Sequence, residues 1–581
     1  MKKFVFGLLI GLAAAVSCAA QTPVPTPTPA KLPEDVPPIA PDFRAPVRPL
    51  PSVERVGVDV ANQLPLSLND AIRLALQNNN DIETAKKDVE IAEFNLRGAD
   101  GVYAPAFVSD SFYERRTTPT ASVIGGAVNG AVTNSTLTST AGISGLTRRG
   151  GGSYNLGFTS SRTNTSNLNA TLNPQFPSSL SFIYVQPLMR GRRIDNNRRT
   201  IEIAKKSLSI TDQQFRQRAV EVIAGVEQAY WDLAYGLRNL QVQIDAVKQA
   251  RVQLESNQRL VAKGVLAPID IVATNAQITT FEQGVYSAQE VVTAAENRLK
   301  TLMLPNRGND IWSRALVPVS PIELDVPRVP LEKAVDTALN NRQEIAQLKT
   351  SAEINKINER YYRDQTKPQI DLTGTYSSSG LAGATTAASI NPTTGLSRVP
   401  DNLIGGYFNS VGNLIQQDYP TYRVGLTITL PFGNRIARAN LGRTLVEGSQ
   451  IETSTAQIEQ AIEADVRNAL QSLRSAEARL QAAAATRSSA EQLFESEERQ
   501  FRAGTTTVFL VFQRQKDLID ARGKELQAQT DLNKAISNFQ RAIGTTLEAN
   551  SVEITKEITP SRFIIRNPND FGSRVFTADT K

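Results

Sequence analysis

The chain has 581 residues, 63 of them basic and 57 acidic, with no histidine and a single cysteine, Cys18. This composition excludes histidine-based zinc sites, Ser/His/Asp and Cys/His catalysis and any disulfide within the chain, and no paired acids stand in a pocket-forming motif. The net charge of +6 is spread along the chain instead of gathered in one stripe, and aromatic residues make up only 6%; neither an enzyme, a cofactor carrier nor a nucleic-acid binder is expected, and extended helices are favoured over a thick core.

Lys2 and Lys3 precede the apolar run Phe4 to Val16 and the small residues around Cys18 and Ala20, which is the pattern of an export signal over 1–20. Cleavage after Ala20 is expected; lipidation at Cys18 is the competing reading. Residues 21–64 read as a leader, and its stretch Gln21 to Pro51, with eleven prolines, is expected to have no packed structure.

A first unit is predicted over 65–304. It opens with a helix over 68–101, for which Ser67 can serve as cap. Between 105 and 187 the stretches Phe107–Arg116, Tyr154–Arg162 and Leu180–Gln186 are strand-like, whereas 118–152, rich in Gly, Ala, Ser and Thr, reads as a long exposed loop. A proline-free helix follows over 196–263. Its apolar residues Leu233, Leu237, Leu240, Ile244, Val247, Leu254 and Val261 keep the 3.5-residue period of a coiled-coil seam. At about 1.5 Å per residue it is a rod of roughly 100 Å. Gly264 ends it, and a shorter helix is predicted over 268–303.

An irregular linker over 305–330 leads to a second unit over 331–546, with a helix at 331–365, strands and loop at 368–431, a long helix at 438–503 ending at Gly504, and a helix at 508–543. The tail 547–581 shows no period. The two units keep register: Leu68, Ala71, Ala75, Leu76, Asn78 and Pro105 match Leu331, Ala334, Ala338, Leu339, Asn341 and Pro368 at a spacing of 263. Ala229, Leu233, Leu240, Gly264, Ala288 and Ala295 match Ala469, Leu473, Leu480, Gly504, Ala528 and Ala535 at a spacing of 240. The order short helix, strand hairpin, long helix, short helix is therefore duplicated. The two short helices of a unit, stacked end to end, could pair with its rod along the whole length.

Apart from the signal, no run of 18 or more apolar residues exists, so a membrane crossing would have to use strands closed into a barrel. Two strands per unit give four per chain, fewer than the eight of the smallest bacterial barrels, so several copies must share one.

The sequence resembles the TolC-type outer-membrane efflux protein family over about 64–546. The resemblance rests on Leu68-Asn69-Asp70-Ala71 and Leu331-Glu332-Lys333-Ala334 at the unit starts, Gln186-Pro187-Leu188 and Leu430-Pro431-Phe432 at the strand-to-rod junctions, and Gly264 with Asp270, and Gly504, at the turns. It implies a mainly α fold with a β part: a homotrimer whose twelve-strand barrel in the outer membrane of a Gram-negative-type bacterium continues into a periplasmic α-helical coiled-coil tunnel. It also implies partners, namely a periplasmic adaptor (membrane fusion) protein with an inner-membrane transporter, or a type I secretion apparatus. The expected function is an exit duct for small molecules or secreted polypeptides; the competing reading is a coiled-coil envelope scaffold without a channel.

Two groups of site residues are expected. At the junctions, Pro187 and Pro431 turn strand into rod, and Arg190, Arg192 and Arg193, with Arg198 and Arg199, either anchor on lipid phosphates or form a merely solvated helix start. At the periplasmic tips, Gly264, Asp270, Gly504, Phe509, Leu510, Phe512 and Gln513 are candidates for the gate and adaptor contact. Leu510 holds the place in the second tip that Asp270 holds in the first, and family members put acidic residues in the second tip. An apolar constriction or adaptor contact is therefore expected there, against the plainer reading that Phe509, Leu510, Val511 and Phe512 only pack the helix ends.

Overall fold

The computed structural model describes residues 52, 54–121, 123–127, 129–322, 325–557 and 573–578. The export signal, Cys18 and the leader through Pro51 lie outside the described residues.

In the first unit the elements are β1 (Asp59–Leu66), α1 (Leu68–Asn78), α2 (Asn80–Asp100), four strands β2 (Ala106–Pro119), β3 (Ala131–Leu146), β4 (Ser153–Thr165) and β5 (Leu172–Pro187), the rod α3 (Asn196–Ala262) and α4 (Pro268–Met303). After β6 (Arg314–Pro318) come α5 (Leu331–Asn341), α6 (Gln343–Gln365), β7 (Gln369–Thr385), the short helix α7 (Tyr407–Gln416), β8 (Tyr419–Thr429), the second rod α8 (Arg435–Arg502) and α9 (Val508–Ile543). The chain closes with α10 (Thr546–Ala549) and the antiparallel pair β9 (Val552–Glu557) and β10 (Ser573–Ala578), where the sequence shows no period.

Ser67 caps α1 as its side chain accepts from the Asp70 N–H. The opening helix of each unit, expected as one piece, is two. Asn79 and Arg342 take extended ψ angles of 130° and 131° and separate α1 from α2 and α5 from α6. These residues are 263 apart, so the break belongs to the duplicated pattern. Different chemistry holds each. The Asn79 side chain accepts from the N–H groups of Asp81 and Ile82 and donates to the Leu302 carbonyl. Arg342 is clamped by Glu344 at 2.7 Å and Asp465 at 3.0 Å.

Each rod is paired along its length by shorter helices. α4 covers the end of α3 near Gly264, and α1 with α2 cover the other end; α9 and then α5 with α6 do the same for α8. α3 also packs on α6 and α9, so it lies inside the row while α8 lies at its margin. The seam of α3 is built as its period requires: Leu233, Leu240 and Val247 are buried, with Leu237, Ile244 and Leu254 packed beside them. Each fully buried leucine or valine contributes about 1.5–3 kcal/mol. The register pairs share that burial: Val226 and Val466, Ala229 and Ala469, Leu233 and Leu473 all face the core.

Two stretches outside the predicted helices and strands are ordered beside the middle of α3. β1, from the end of the leader, pairs in parallel with β6, from the linker, through Leu64↔Leu316 and Leu66↔Pro318. The Tyr230 hydroxyl donates to the Leu66 carbonyl at 3.0 Å and accepts from the Ser320 N–H at 2.9 Å. Glu296 takes the Leu316 N–H at 2.7 Å and is ion-paired with Arg55 and Lys300, all three side chains almost wholly buried. Burial outweighs the neighbouring carboxylate and holds the Lys300 ammonium below its ordinary pKa. These are non-local pairings between short segments, for which periodicity carries no signal.

The main sheet corrects the expected strand count. It has six antiparallel strands in the order β2-β3-β4-β5-β7-β8, where four were expected. The three strand-like stretches of the first unit become β2, β4 and β5 as separate strands, and 131–146, read as loop, forms β3, paired with β2 over 131–144 and with β4 over 134–146. Its residues are mostly Ala, Ser, Thr and Gly, of which only Thr favours strands, so side-chain alternation is muted.

Candidate functional site

Ladder register assigns every strand residue to one of two faces, because the side-chain period is two. On one face lie Leu137 and Ile143 of β3, Leu156 and Phe158 of β4, Leu180 and Phe182 of β5, Leu372 and Tyr376 of β7, and Tyr422, Val424, Leu426 and Ile428 of β8. Most of these are exposed in the single chain. The opposite face carries Thr136, Thr138 and Thr140, Thr159, Ser161 and Thr163, Ser179 and Ser181, Thr373, Thr375, Ser377 and Ser379, and Thr421 and Thr427. Val108 and Phe112 of β2 and Ile183 and Val185 of β5 are among its apolar interruptions near the junction end. A sheet apolar on one side and hydroxyl-lined on the other separates hydrocarbon from water. Among the described residues both margins, β2 and β8, are unpaired.

At the strand-to-rod junction the arginine cluster divides. Arg190 donates to Gln369, and Arg198 bonds the carbonyls of Gly191, Arg192 and Arg193 and the Asp195 carboxylate. Arg199 bonds Asn358 at 2.7 Å and lies over the rings of Tyr361 and Tyr362. These three tie the β5–α3 connection and α3 to α6 and the start of β7. Arg192 and Arg193 are exposed. Above them Leu188 and Met189, and at the other junction Leu430, Phe432 and Ile436, are exposed apolar residues, Phe432 wholly so. Pro187 ends β5 paired with Asp371, and Pro431 lies just past β8. The exposed apolar collar is absent from the sequence-level site, although the apolar residues flanking each proline were its signal.

The tips share one backbone device. Gly264 has φ +73°, and its N–H bonds the Val261 carbonyl while the Val265 N–H reaches back to Leu260. Gly504 has φ +76°, with the same bonds to Phe501 and, from Thr505, to Gln500. This paired pattern closes a helix where only glycine avoids the left-handed penalty. The side chains differ. Phe512, with Val508 and Val511, is buried and packs the helix end, whereas Phe509 and Leu510 are exposed. Gln513 is exposed and donates to Asp517. Asp270 is half-buried in the first turn of α4, behind Pro268. Behind it Asn257 and Thr274, both fully buried, bond each other at 2.9 Å, and the Thr274 hydroxyl donates to the Asp270 carbonyl. Val265, Ile269 and Val272 add apolar surface to this tip.

Comparison with known proteins agrees with this architecture. Residues 334–545 match the sequence pattern of the outer membrane efflux protein family. No curated protein sequence matches the chain. Among solved structures it is similar in fold to the outer-membrane channel OprN, at 15% identity and TM-score 0.57, over 87% of this chain and 98% of that one. The Campylobacter jejuni CmeC outer membrane channel aligns at 15% identity and TM-score 0.56, over 82% and 86%. The Neisseria gonorrhoeae MtrE outer membrane channel, in its open state, aligns at 17% identity and TM-score 0.55, over 83% and 89%. Residues 334–545 thus carry the sequence pattern of outer membrane efflux proteins, and the chain as a whole has the fold of these outer-membrane channels.

Proposed function

We propose that the chain is one third of a homotrimeric exit duct, which receives small molecules or secreted polypeptides from a periplasmic adaptor and inner-membrane transporter and releases them through the outer membrane. The observation that carries this reading is the six-stranded sheet, apolar on one face, hydroxyl-lined on the other and unpaired at both margins. Six strands cannot close by themselves. Joining β8 of one copy to β2 of the next extends the same alternation around a ring, with the apolar face toward lipid and the hydroxyl face toward the lumen.

Three copies of the six-stranded sheet make an eighteen-strand barrel, not one of twelve strands. Barrel diameter grows about linearly with strand number, so this mouth is roughly one and a half times as wide. The collar of Leu188, Met189, Leu430 and Phe432 would lie at the inner edge of the hydrocarbon, with Arg192 and Arg193 at headgroup level. Gly264, Asp270, Gly504, Phe509, Leu510 and Gln513 would form the adaptor-facing end, Phe512 supporting them from within. An envelope scaffold has no use for such a sheet.

The test is outer-membrane fractionation, native mass in detergent and conductance in planar bilayers. A trimer with β-rich spectra and stable ion-conducting pores is expected. A detergent-purified monomer with no conductance would overturn the reading.

A further inference from the structure

α7 presents its polarity the wrong way round for an ordinary surface helix. Ser410, Asn413 and Leu414 face the sheet and are buried, while Phe408, 85% exposed, and Ile415 point away from it, with Tyr407, Asn409 and Gln416 exposed beside them. The buried side is held by hydrogen bonds. Ser410 and Ser178 share a hydroxyl contact at 2.7 Å, the Ser378 hydroxyl donates to the Leu414 carbonyl, and Asn413 donates to the carbonyls of Leu381 and Asn402. The helix lies so close that a Cβ at Gly380 would meet the Ser410 carbonyl oxygen at 2.0 Å.

The side on which α7 sits is fixed by register. Ser178 pairs with Gly380 and Leu180 with Ser378, on the same face as Phe182 and Tyr376. That is the apolar face. Up β5 from the junction, this face reads Tyr184, Phe182 and Leu180, then turns small and polar at Ser178, where α7 begins to cover it. Ser178 stands nine residues from Pro187. At about 3.3 Å per residue and a tilt of about 40° that is roughly 20–25 Å, near the top of an apolar band about 25 Å tall. Phe408 and Ile415 thus supply hydrocarbon surface at the level where the strands stop supplying it. A groove of about 360 Å³ runs from Tyr407 across Phe158, Phe176 and Leu137, with Ser139, Ser160 and Arg162 also on its wall.

We propose that α7 is an inside-out membrane helix, whose outward face and adjoining groove are covered by acyl chains of the outer leaflet. This rests on the barrel reading above, since it is continuity with the lipid-facing side of the sheet that selects hydrocarbon as the occupant. Polar residues inward and apolar residues outward is the arrangement hydrocarbon favours, because buried hydroxyl and amide groups find partners only in the protein.

The test uses the full-length protein in proteoliposomes, with two reporters, Phe408→Trp on α7 and Phe182→Trp on β5, each read as emission added over wild type. Lipids brominated on the acyl chains are expected to quench both, and aqueous acrylamide neither. If brominated lipid quenches Phe182→Trp while acrylamide quenches Phe408→Trp, the barrel reading stands and the proposal falls. It also falls if neither agent quenches Phe408→Trp, which would mean that protein covers the helix. If acrylamide quenches both reporters, the barrel reading itself fails.

Discussion

α3 and α8 are rods of nearly equal length at equivalent places in the two units, yet one is wrapped and the other half bare. α3 buries Phe215, Tyr230 and Trp231 as well as its seam, and among its large apolar residues only Val252 is strongly exposed. α8 exposes Ile436, Leu445, Val446 and Leu493. The difference is one of position: α3 has neighbours from both units, while α8 closes the row on the same side as the unpaired β8. At the opposite margin α2 exposes Ile91 and Phe94 beside the unpaired β2. The two bare margins are complementary in kind, as a head-to-tail ring requires.

The largest expected effect follows from that contrast. Charging the bare face with Leu445→Asp and Val446→Asp together should abolish assembly, so that native mass in detergent shows monomer in place of trimer. Val252→Asp on α3 should leave assembly intact and change stability within about 0.5 kcal/mol, as exposed substitutions do. Equal outcomes at the two rods would break the comparison.

The tip glycines probe the opposite case, in which the units agree. Gly264→Ala and Gly504→Ala each force a Cβ into the left-handed region, at roughly 1–2 kcal/mol per site. Hydrogen exchange should rise at the substituted tip only, and by similar amounts in the two variants. Transport is expected to fall while the barrel still inserts; unchanged transport in both would remove the tips' special status.

What was legible in the sequence follows the strength of the local pattern. The rods, their glycine ends and the duplication could be read because Leu233 and Leu473, or Gly264 and Gly504, repeat both chemistry and spacing. β3 could not, since Thr136, Thr138 and Thr140 alternate with Leu137, Ser139 and Ala141, a contrast too shallow to outweigh the glycines beside it. The pairing of β1 with β6 and the burial of Glu296 join residues far apart in the chain, and no local signal encodes them. Of the arginine cluster, the number of positive charges was visible, but not that Asp195, Asn358 and Gln369 would occupy Arg198, Arg199 and Arg190. At the tips, sequence named the apolar segment 509–512 without separating exposed Phe509 from buried Phe512.

A smaller effect is expected where the units diverge in the core. Glu227 is buried in α3, accepting from Ser537 and, at 2.9 Å, from Asn550; the register position in α8 is Arg467, on the surface. Burial pushes the Glu227 carboxyl above its ordinary pKa, against the two hydrogen bonds that favour the charged form. A carboxyl with a raised folded pKa contributes stability below its unfolded pKa and loses it as pH rises through the folded value. Thermal unfolding of Glu227→Gln should therefore lack the part of the decline that wild type shows as pH rises from about 4.5 toward neutrality. A parallel pair of curves would show that Glu227 is not the titrating group.

The smallest effect is expected at Asp270, the one charge that distinguishes the first tip from the second at this register position. A carboxylate in the first turn of a helix stabilises it by roughly 0.3–1 kcal/mol, and Asp270, half-buried behind Pro268, is placed to do so for α4. In a ring of three copies, carboxylates facing the axis would also concentrate cations in the narrow end of the tunnel. The two roles separate in planar bilayers. Asp270→Asn should shift the reversal potential toward weaker cation preference, and Leu510→Asp, which adds a second acidic ring, should shift it the opposite way. If Asp270→Asn lowers only the unfolding temperature and leaves ion preference unchanged, the carboxylate serves the helix end alone. In that case the tips differ in how their helices start, not in what they admit.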